Sequence, residues 1–168
     1  MNEIFIRRSV RKFNTKRVEE EKINEILRAG MQAPSAKNQQ PWEFIVVRGE
    51  KNLEELSKYN VYATCLKGAN VAIIVLCNTE KLIMPEFWQQ DLSAVTQNIE
   101  LQAVTLGLGS VWMGTAPEEK KMNYIKEMFS LKDNLLPFSV IALGYPLYEN
   151  ANKFKDRFDE SRITYIND

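Results

Sequence analysis

Apolar positions in this chain follow two periods in turn, and the alternation predicts a mixed helix and strand architecture. Ile23, Ile26, Leu27 and Gly30 recur at helical spacing between Glu19 and Met31, with Glu19, Glu20 and Glu21 favourably placed at the positive end of that helix. Asn2 is suited to cap a shorter helix running into Arg8. Phe44 to Val47 is a short apolar run suited to a buried strand, and the β-branched run from Val71 to Leu76 reads as a central strand. Asn52 is expected to cap a short helix containing Leu53 and Leu56. From Phe87 to Leu106, the residues Leu92, Val95, Ile99, Ala103 and Leu106 keep the helical period while Leu101, Val104 and Leu108 widen the stripe, predicting a long helix buried on more than one face. Val111 to Met113 and Phe138 to Leu143 read as the remaining strands, and Pro117 as the first turn of a helix led by Glu118 and Glu119. After Pro146 the chain turns polar, yet it keeps Phe154, Phe158, Ile163 and Tyr165. A wide apolar helix and an apolar-studded tail exceed what so small a domain covers alone, so a partner is expected.

Between the second helix and the first strand lies Ala33-Pro34-Ser35-Ala36-Lys37-Asn38-Gln39-Gln40-Pro41-Trp42, in which small hydrogen-bonding residues stand between two prolines. It reads as a rigid binding loop for a planar polar ligand, with Ala33 and Gln40 extended before their prolines and Ser35 and Asn38 turned outward. A turn in which Asn38 bonds the local backbone is the plainer reading, and the two are compatible. Trp42 reads as core packing at the start of the strand.

Arg7-Arg8-Ser9-Val10-Arg11-Lys12-Phe13 gathers four cations and a hydroxyl, the composition of an anion site. A solvated basic patch or a nucleic-acid arm are the alternatives. Lys plus Arg is 22 and Asp plus Glu is 22, a net charge of +0, so no long-range field draws in a polyanion and the cations look local in purpose.

Length and composition agree with one soluble domain spanning residues 1–168, with 45% hydrophobic and 26% charged residues. Met1 to Arg7 lacks the pattern of a secretory signal, and the apolar run Val71 to Cys77 is too short to span a bilayer. Cys65 and Cys77 form no CxxC pair and are expected to be reduced thiols, which points to the cytoplasm. The count of histidines is 0, which excludes Ser-His-Asp triads, Cys-His dyads and HExxH zinc sites and leaves chemistry carried by a bound cofactor.

The basic cluster and the Pro34 loop, taken with Phe87 to Ala94, Gly107 to Gly114, Ala142-Leu143-Gly144-Tyr145-Pro146 and the late Lys155-Asp156-Arg157, resemble the FMN-dependent nitroreductase family in order over nearly the whole chain. The resemblance implies an α+β fold, with a central, mainly antiparallel sheet flanked by helices, a long dimer-interface helix and an extended C-terminal tail. It implies a homodimer in which residues 146–168 pack on the partner subunit, bound FMN, and transient NAD(P)H. The implied reaction is ping-pong: NAD(P)H delivers a hydride to flavin N5, and a nitroaromatic, quinone or similar electrophile then takes the electrons. No protein acid is implied, and no metal.

Site residues follow from the same resemblance. Arg7, Ser9, Lys155 and Arg157 match the phosphate grip, and Lys155 and Arg157 alternate in an extended tail, a spacing that lets both face one ligand; without the resemblance the plainer reading of that pair is a solvated tail. Arg8 contacts phosphate or ribityl oxygens, or is simply exposed. Arg11 matches the cation beside flavin N1 and O2, where about 1.4 kcal/mol of differential stabilisation is worth about 30 mV. Pro34, Ser35, Ala36 and Asn38 match the loop that reaches the flavin from the other subunit. Trp112, Met113 and Gly114 match the segment running along the ring, with the Met113 N–H expected near N5 and Gly114 allowing close approach. Gly107-Leu108-Gly109-Ser110 is not a dinucleotide fingerprint, since it follows a helix and lacks the glycine spacing. Departures from the family are Ala69-Asn70 where Ala-Pro is frequent, Thr164 where His is frequent, and Tyr59 to Gly68, which does not match. An FMN carrier or sensor, a flavin reductase and a dehalogenase of the same fold remain alternatives.

Overall fold

Alternation along one strand organises the molecule. The computed structural model describes residues 2–167, and at its centre β2 (Val71–Asn78) is buried on both faces over seven consecutive positions. Val71, Ile73, Val75 and Cys77 face one apolar cluster, and Ala72, Ile74 and Leu76 face another. Two helices close the first face, α2 (Glu20–Gly30) through Ile23 and Ile26, and α4 (Trp88–Thr105) through Leu92, Val95, Ile99 and Ala103. The second face is covered by α3 (Glu50–Leu56) and α5 (Glu119–Met128) through Leu53, Leu56 and Ile125. Full burial of a Val, Leu or Ile is worth about 1.5–3 kcal/mol, so this two-sided strand is the main anchor of the fold.

With β1 (Trp42–Val47), β3 (Gly109–Gly114) and β4 (Leu135–Gly144), the sheet runs in the order β1-β2-β4-β3, every pair antiparallel. The fold is thus α+β, as expected. A bulge between Val75 and Leu76 shifts the β2–β4 register and leaves Phe138 opposite no β2 residue. Its carbonyl instead accepts from the Thr115 and Ala116 amides, both at 3.0 Å, which ends β3. A short helix α1 (Glu3–Ile6), capped by Asn2, leads into the basic segment. That segment lies along the edge of β3, with Ser9 bridged to Ser110 and Phe13 to Pro146.

Several expectations need correction. β1 is an edge strand, with Glu43, Phe44 and Ile45 half-buried and Val46 exposed, because nothing pairs with its outer side among the described residues. Asn52 is inside α3, where its side chain donates to the Arg48 carbonyl at 3.0 Å; the helix starts earlier because Gly49 turns the chain at φ 89°. Pro117 lies outside α5, and Glu118, extended, holds the N-cap position. Gln40 is not extended but at φ 44°, because its amide donates to Ser35 Oγ at 3.0 Å and folds the loop inward. Ser35 thereby takes the capping role expected of Asn38.

Candidate functional site

The N-terminal segment and the tail form one hollow. Arg7, Arg8, Lys155 and Arg157 line about 330 Å³ together with Phe5, Phe154 and Phe158. Asn152 ties the two strands of chain together, accepting from the Arg8 N–H at 3.2 Å and donating to the Leu108 carbonyl at 3.0 Å. Arg8 is the informative residue: its Nη1 donates to the Arg7 carbonyl at 2.5 Å, while its Nη2 is buried with no partner. Desolvation, and then the charges of Arg157 and Arg7, depress its pKa. Crowded cations with an unsatisfied N–H form a donor set that fits a phosphate, since an anion relieves both the repulsion and the orphaned donor.

Arg7 is partly committed elsewhere. Its Nη1 lies 3.5 Å from Oε2 of Glu100, a carboxylate of α4 that is only 2% exposed. Ser110 Oγ donates to the same carboxylate at 3.1 Å, and the Trp112 amide faces it. Burial pushes the Glu100 pKa up, and these three neighbours pull it back. Glu100 therefore joins α4, β3 and the basic segment.

A second hollow of about 360 Å³ lies beyond it along β3, lined by Arg11, Asn60, Tyr62, Trp112, Met113, Gly114, Glu118 and Lys121 among others. Arg11 is exposed and donates from Nη1 to the Ser9 carbonyl at 3.3 Å, an anchor that leaves the rest of the guanidinium open. The Met113 side chain points inward, its sulfur 3.8 Å from Cys65 Sγ. The backbone alternates predictably here. Ser110 presents its carbonyl to the outer edge, where it accepts the Val10 N–H at 2.8 Å, so Trp112 and Gly114 share that edge while Met113 faces Val140 of β4. The Met113 N–H, expected near a ligand, thus faces β4, and the amide on the free edge is that of Gly114.

The Pro34 loop lines neither hollow. Pro34, Ser35, Ala36 and Asn38 stand at the other end of α4, where the Ala36 N–H donates to Asp91. The predicted residues thus fall into three groups: phosphate hollow, β3 edge with Arg11, and a detached loop. Glu100, Ser110, Asp91, Gln39, Asn60, Tyr62 and Lys121 were not foreseen. For Glu100 and Asp91 a signal existed, since they are the two charged residues of an otherwise uncharged α4.

A profile of the nitroreductase family matches residues 4–145. The chain belongs to the nitroreductase family. Among family structures, it is similar to one from Clostridium acetobutylicum, provisionally described as an NADH oxidase, at 51% identity and a TM-score of 0.93, covering 96% of this chain and 97% of that one. An FMN-dependent nitroreductase from Clostridium difficile R20291 is 31% identical with a TM-score of 0.89, covering 99% and 98%. A protein of Methanothermobacter thermautotrophicus, provisionally named NADH dehydrogenase/NAD(P)H nitroreductase, is 46% identical over 157 residues, 94% of this chain and 81% of its own. No helix among the described residues of this nitroreductase-family chain is long and apolar enough to cross a membrane.

Proposed function

We propose that this protein is an FMN-dependent oxidoreductase that uses NAD(P)H to reduce nitroaromatics, quinones or similar electrophiles, and that it works as a homodimer in the cytoplasm. The observation that carries the reading is the four-cation hollow with Arg8 Nη2 buried and unpartnered, in a member of the nitroreductase family. FMN held there would supply the redox chemistry between NAD(P)H and the acceptor.

The residues of this chain bind, orient and tune. Arg7, Arg8, Lys155 and Arg157 would hold the phosphate, with Ser9 next to Arg8 in the chain, and the pairing of Arg7 with Glu100 fixes the position of its guanidinium. Arg11 would supply a cation to the pyrimidine end of the ring, to stabilise negative charge there. Trp112, Met113 and Gly114 form the surface along the ring, and the amide offered there is that of Gly114. The half-buried Trp112 packs on Phe138, ring centroids 5.8 Å apart, which holds its side chain in place. A second copy completes the site with its own Pro34, Ser35, Ala36 and Asn38, since within one chain that loop reaches neither hollow. The exposed aromatic tail supports the same pairing, with Phe158 74% and Tyr165 72% exposed. The free thiols Cys65 and Cys77 support a reducing compartment.

An anaerobic visible spectrum of the protein with FMN, before and after NADH or NADPH, tests the reading. Bleaching of the bound flavin by either nucleotide is the expected result. A yellow protein that neither nucleotide bleaches would make it a carrier or sensor, and failure to retain FMN would overturn the assignment.

A further inference from the structure

The two charged residues of α4 are both buried, and Asp91, 5% exposed, has no part in the cationic hollow. Its Oδ1 accepts the Ala36 N–H at 2.9 Å, and its Oδ2 accepts Nε2 of Gln39 at 2.5 Å. Gln39 is buried and fixed from its other side, where Oε1 accepts the Ile83 N–H at 2.8 Å and the Met84 N–H at 2.9 Å. An amide oxygen held by two N–H donors cannot trade places with its NH2, so the NH2 must face Asp91. The backbone between these anchors has bonds of its own, the Gln40 N–H to Ser35 Oγ and the Asn38 N–H to the Ser35 carbonyl, both at 3.0 Å, but its dihedral angles are costly. Lys37, Asn38 and Gln40 have φ of 51°, 54° and 44°, the left-handed region that L side chains adopt at a cost and that persists only when the surroundings impose it.

We propose that Asp91 and Gln39 are the positioning residues of the cofactor loop: their carboxylate–amide pair, clamped by the Ile83 and Met84 amides, holds Ser35, Ala36 and Asn38 in the shape that meets the flavin. The proposal rests on the reading that this loop contributes to the FMN site. Neither residue touches cofactor or substrate; both act through the loop. Their chemistry explains why a carboxylate is used at position 91. It accepts from two donors at once, one on the loop backbone and one on a side chain that cannot turn round.

Asp91→Asn tests this. Its oxygen can keep the Ala36 N–H, but its NH2 then meets the NH2 of Gln39, two donors with no acceptor between them. The double variant D91N/Q39E restores a donor facing an acceptor between positions 91 and 39, with the carboxylate moved to position 39, and gives up only the longer bond from Gln39 Nε2 to the Met84 carbonyl at 3.3 Å. Three quantities are read: the FMN dissociation constant from flavin fluorescence, the thermal midpoint of the cofactor-free protein, and amide exchange at Ala36 and Gln40. In D91N, FMN binding should weaken about tenfold or more and exchange at both amides should quicken about tenfold or more, with exchange in the middle of α4 unchanged. The double variant should recover a clear part of both losses. Unchanged affinity and exchange in D91N would overturn the proposal. So would a fall in thermal midpoint that the double variant mends without mending affinity. If D91N does not fold, Gln39→Met, which leaves Asp91 its bond to Ala36, is read by the same criteria; failure of both variants to fold would assign the pair to the fold as a whole and overturn it. A wild-type protein that binds no FMN would refute the functional reading instead, and the exchange data would still decide whether the pair holds the loop.

Discussion

Arg8 and Glu100 show how a single residue's surroundings define its task. Arg8 carries a buried N–H that nothing among the described residues accepts, so its contribution should depend on the ligand's charge. Arg8→Ala is expected to weaken FMN binding about tenfold or more while leaving riboflavin, which lacks the phosphate, nearly unaffected; parallel fluorescence titrations check this. Glu100 is the opposite case, an acid whose burial raises its pKa above the ordinary 4.5. The folded state then holds the proton more tightly than the unfolded one. Its stabilising contribution is complete below the unfolded value and is lost as pH rises from about 4.5 through the folded pKa. Glu100→Gln cannot ionise, so its stability relative to wild type should climb as pH rises through that window. Urea unfolding across pH 4 to 8 measures the gap, and a constant gap would contradict the assignment. The thiols provide a contrast: burial pushes Cys77 up to about 12 and Cys65 above its usual value, so neither is an activated nucleophile.

At the scale of elements, α4 is the connecting rod between the parts of the site. Asp91 near its start fixes the loop before β1, and Glu100, further along, fixes Arg7 and Ser110 of β3. The contact between the basic segment and β3 is as tight as the backbone permits. A Cβ built on Gly109 would lie 2.7 Å from Cβ and Cγ1 of Val10, so even a methyl group forces the two chains apart. Gly109→Ala should therefore cost about 1–3 kcal/mol, read as a lower urea midpoint at unchanged slope, and should weaken FMN binding because Ser9 and Arg11 move with Val10. The period-2 pattern of β2 and the helical stripe of α4 were legible because each element buries its own pattern. The shape of the Pro34 loop was not legible. Gln40 takes a positive φ despite preceding a proline, held by Ser35, while Gln39 is pinned by Asp91, Ile83 and Met84 from distant parts of the chain.

For the whole molecule, the tail and the detached loop make the same demand. Leu147, Tyr148, Phe154, Phe158, Tyr165 and Ile166 are exposed in one chain, more apolar surface than a free tail keeps in water. Two copies of 19.5 kDa should sediment as one species of twice that mass. A chain ending at Pro146 should lose both the dimer and FMN binding, since Lys155 and Arg157 leave with the tail; sedimentation and a flavin titration on that chain decide it. A tail-less chain that stays dimeric and yellow would refute the pairing. The sequence by itself determined the elements, the two-faced central strand, the two basic clusters and the family motifs, because periodicity, turn chemistry and local charge are properties of neighbouring residues. Only the tertiary structure decided that Arg7 and Arg8 meet Lys155 and Arg157, that Gly114 rather than Met113 owns the free edge, and that two buried carboxylates of one helix bond the Pro34 loop and the basic segment. Those facts depend on strand register and long-range packing, which bring together residues as far apart as Arg8 and Asn152.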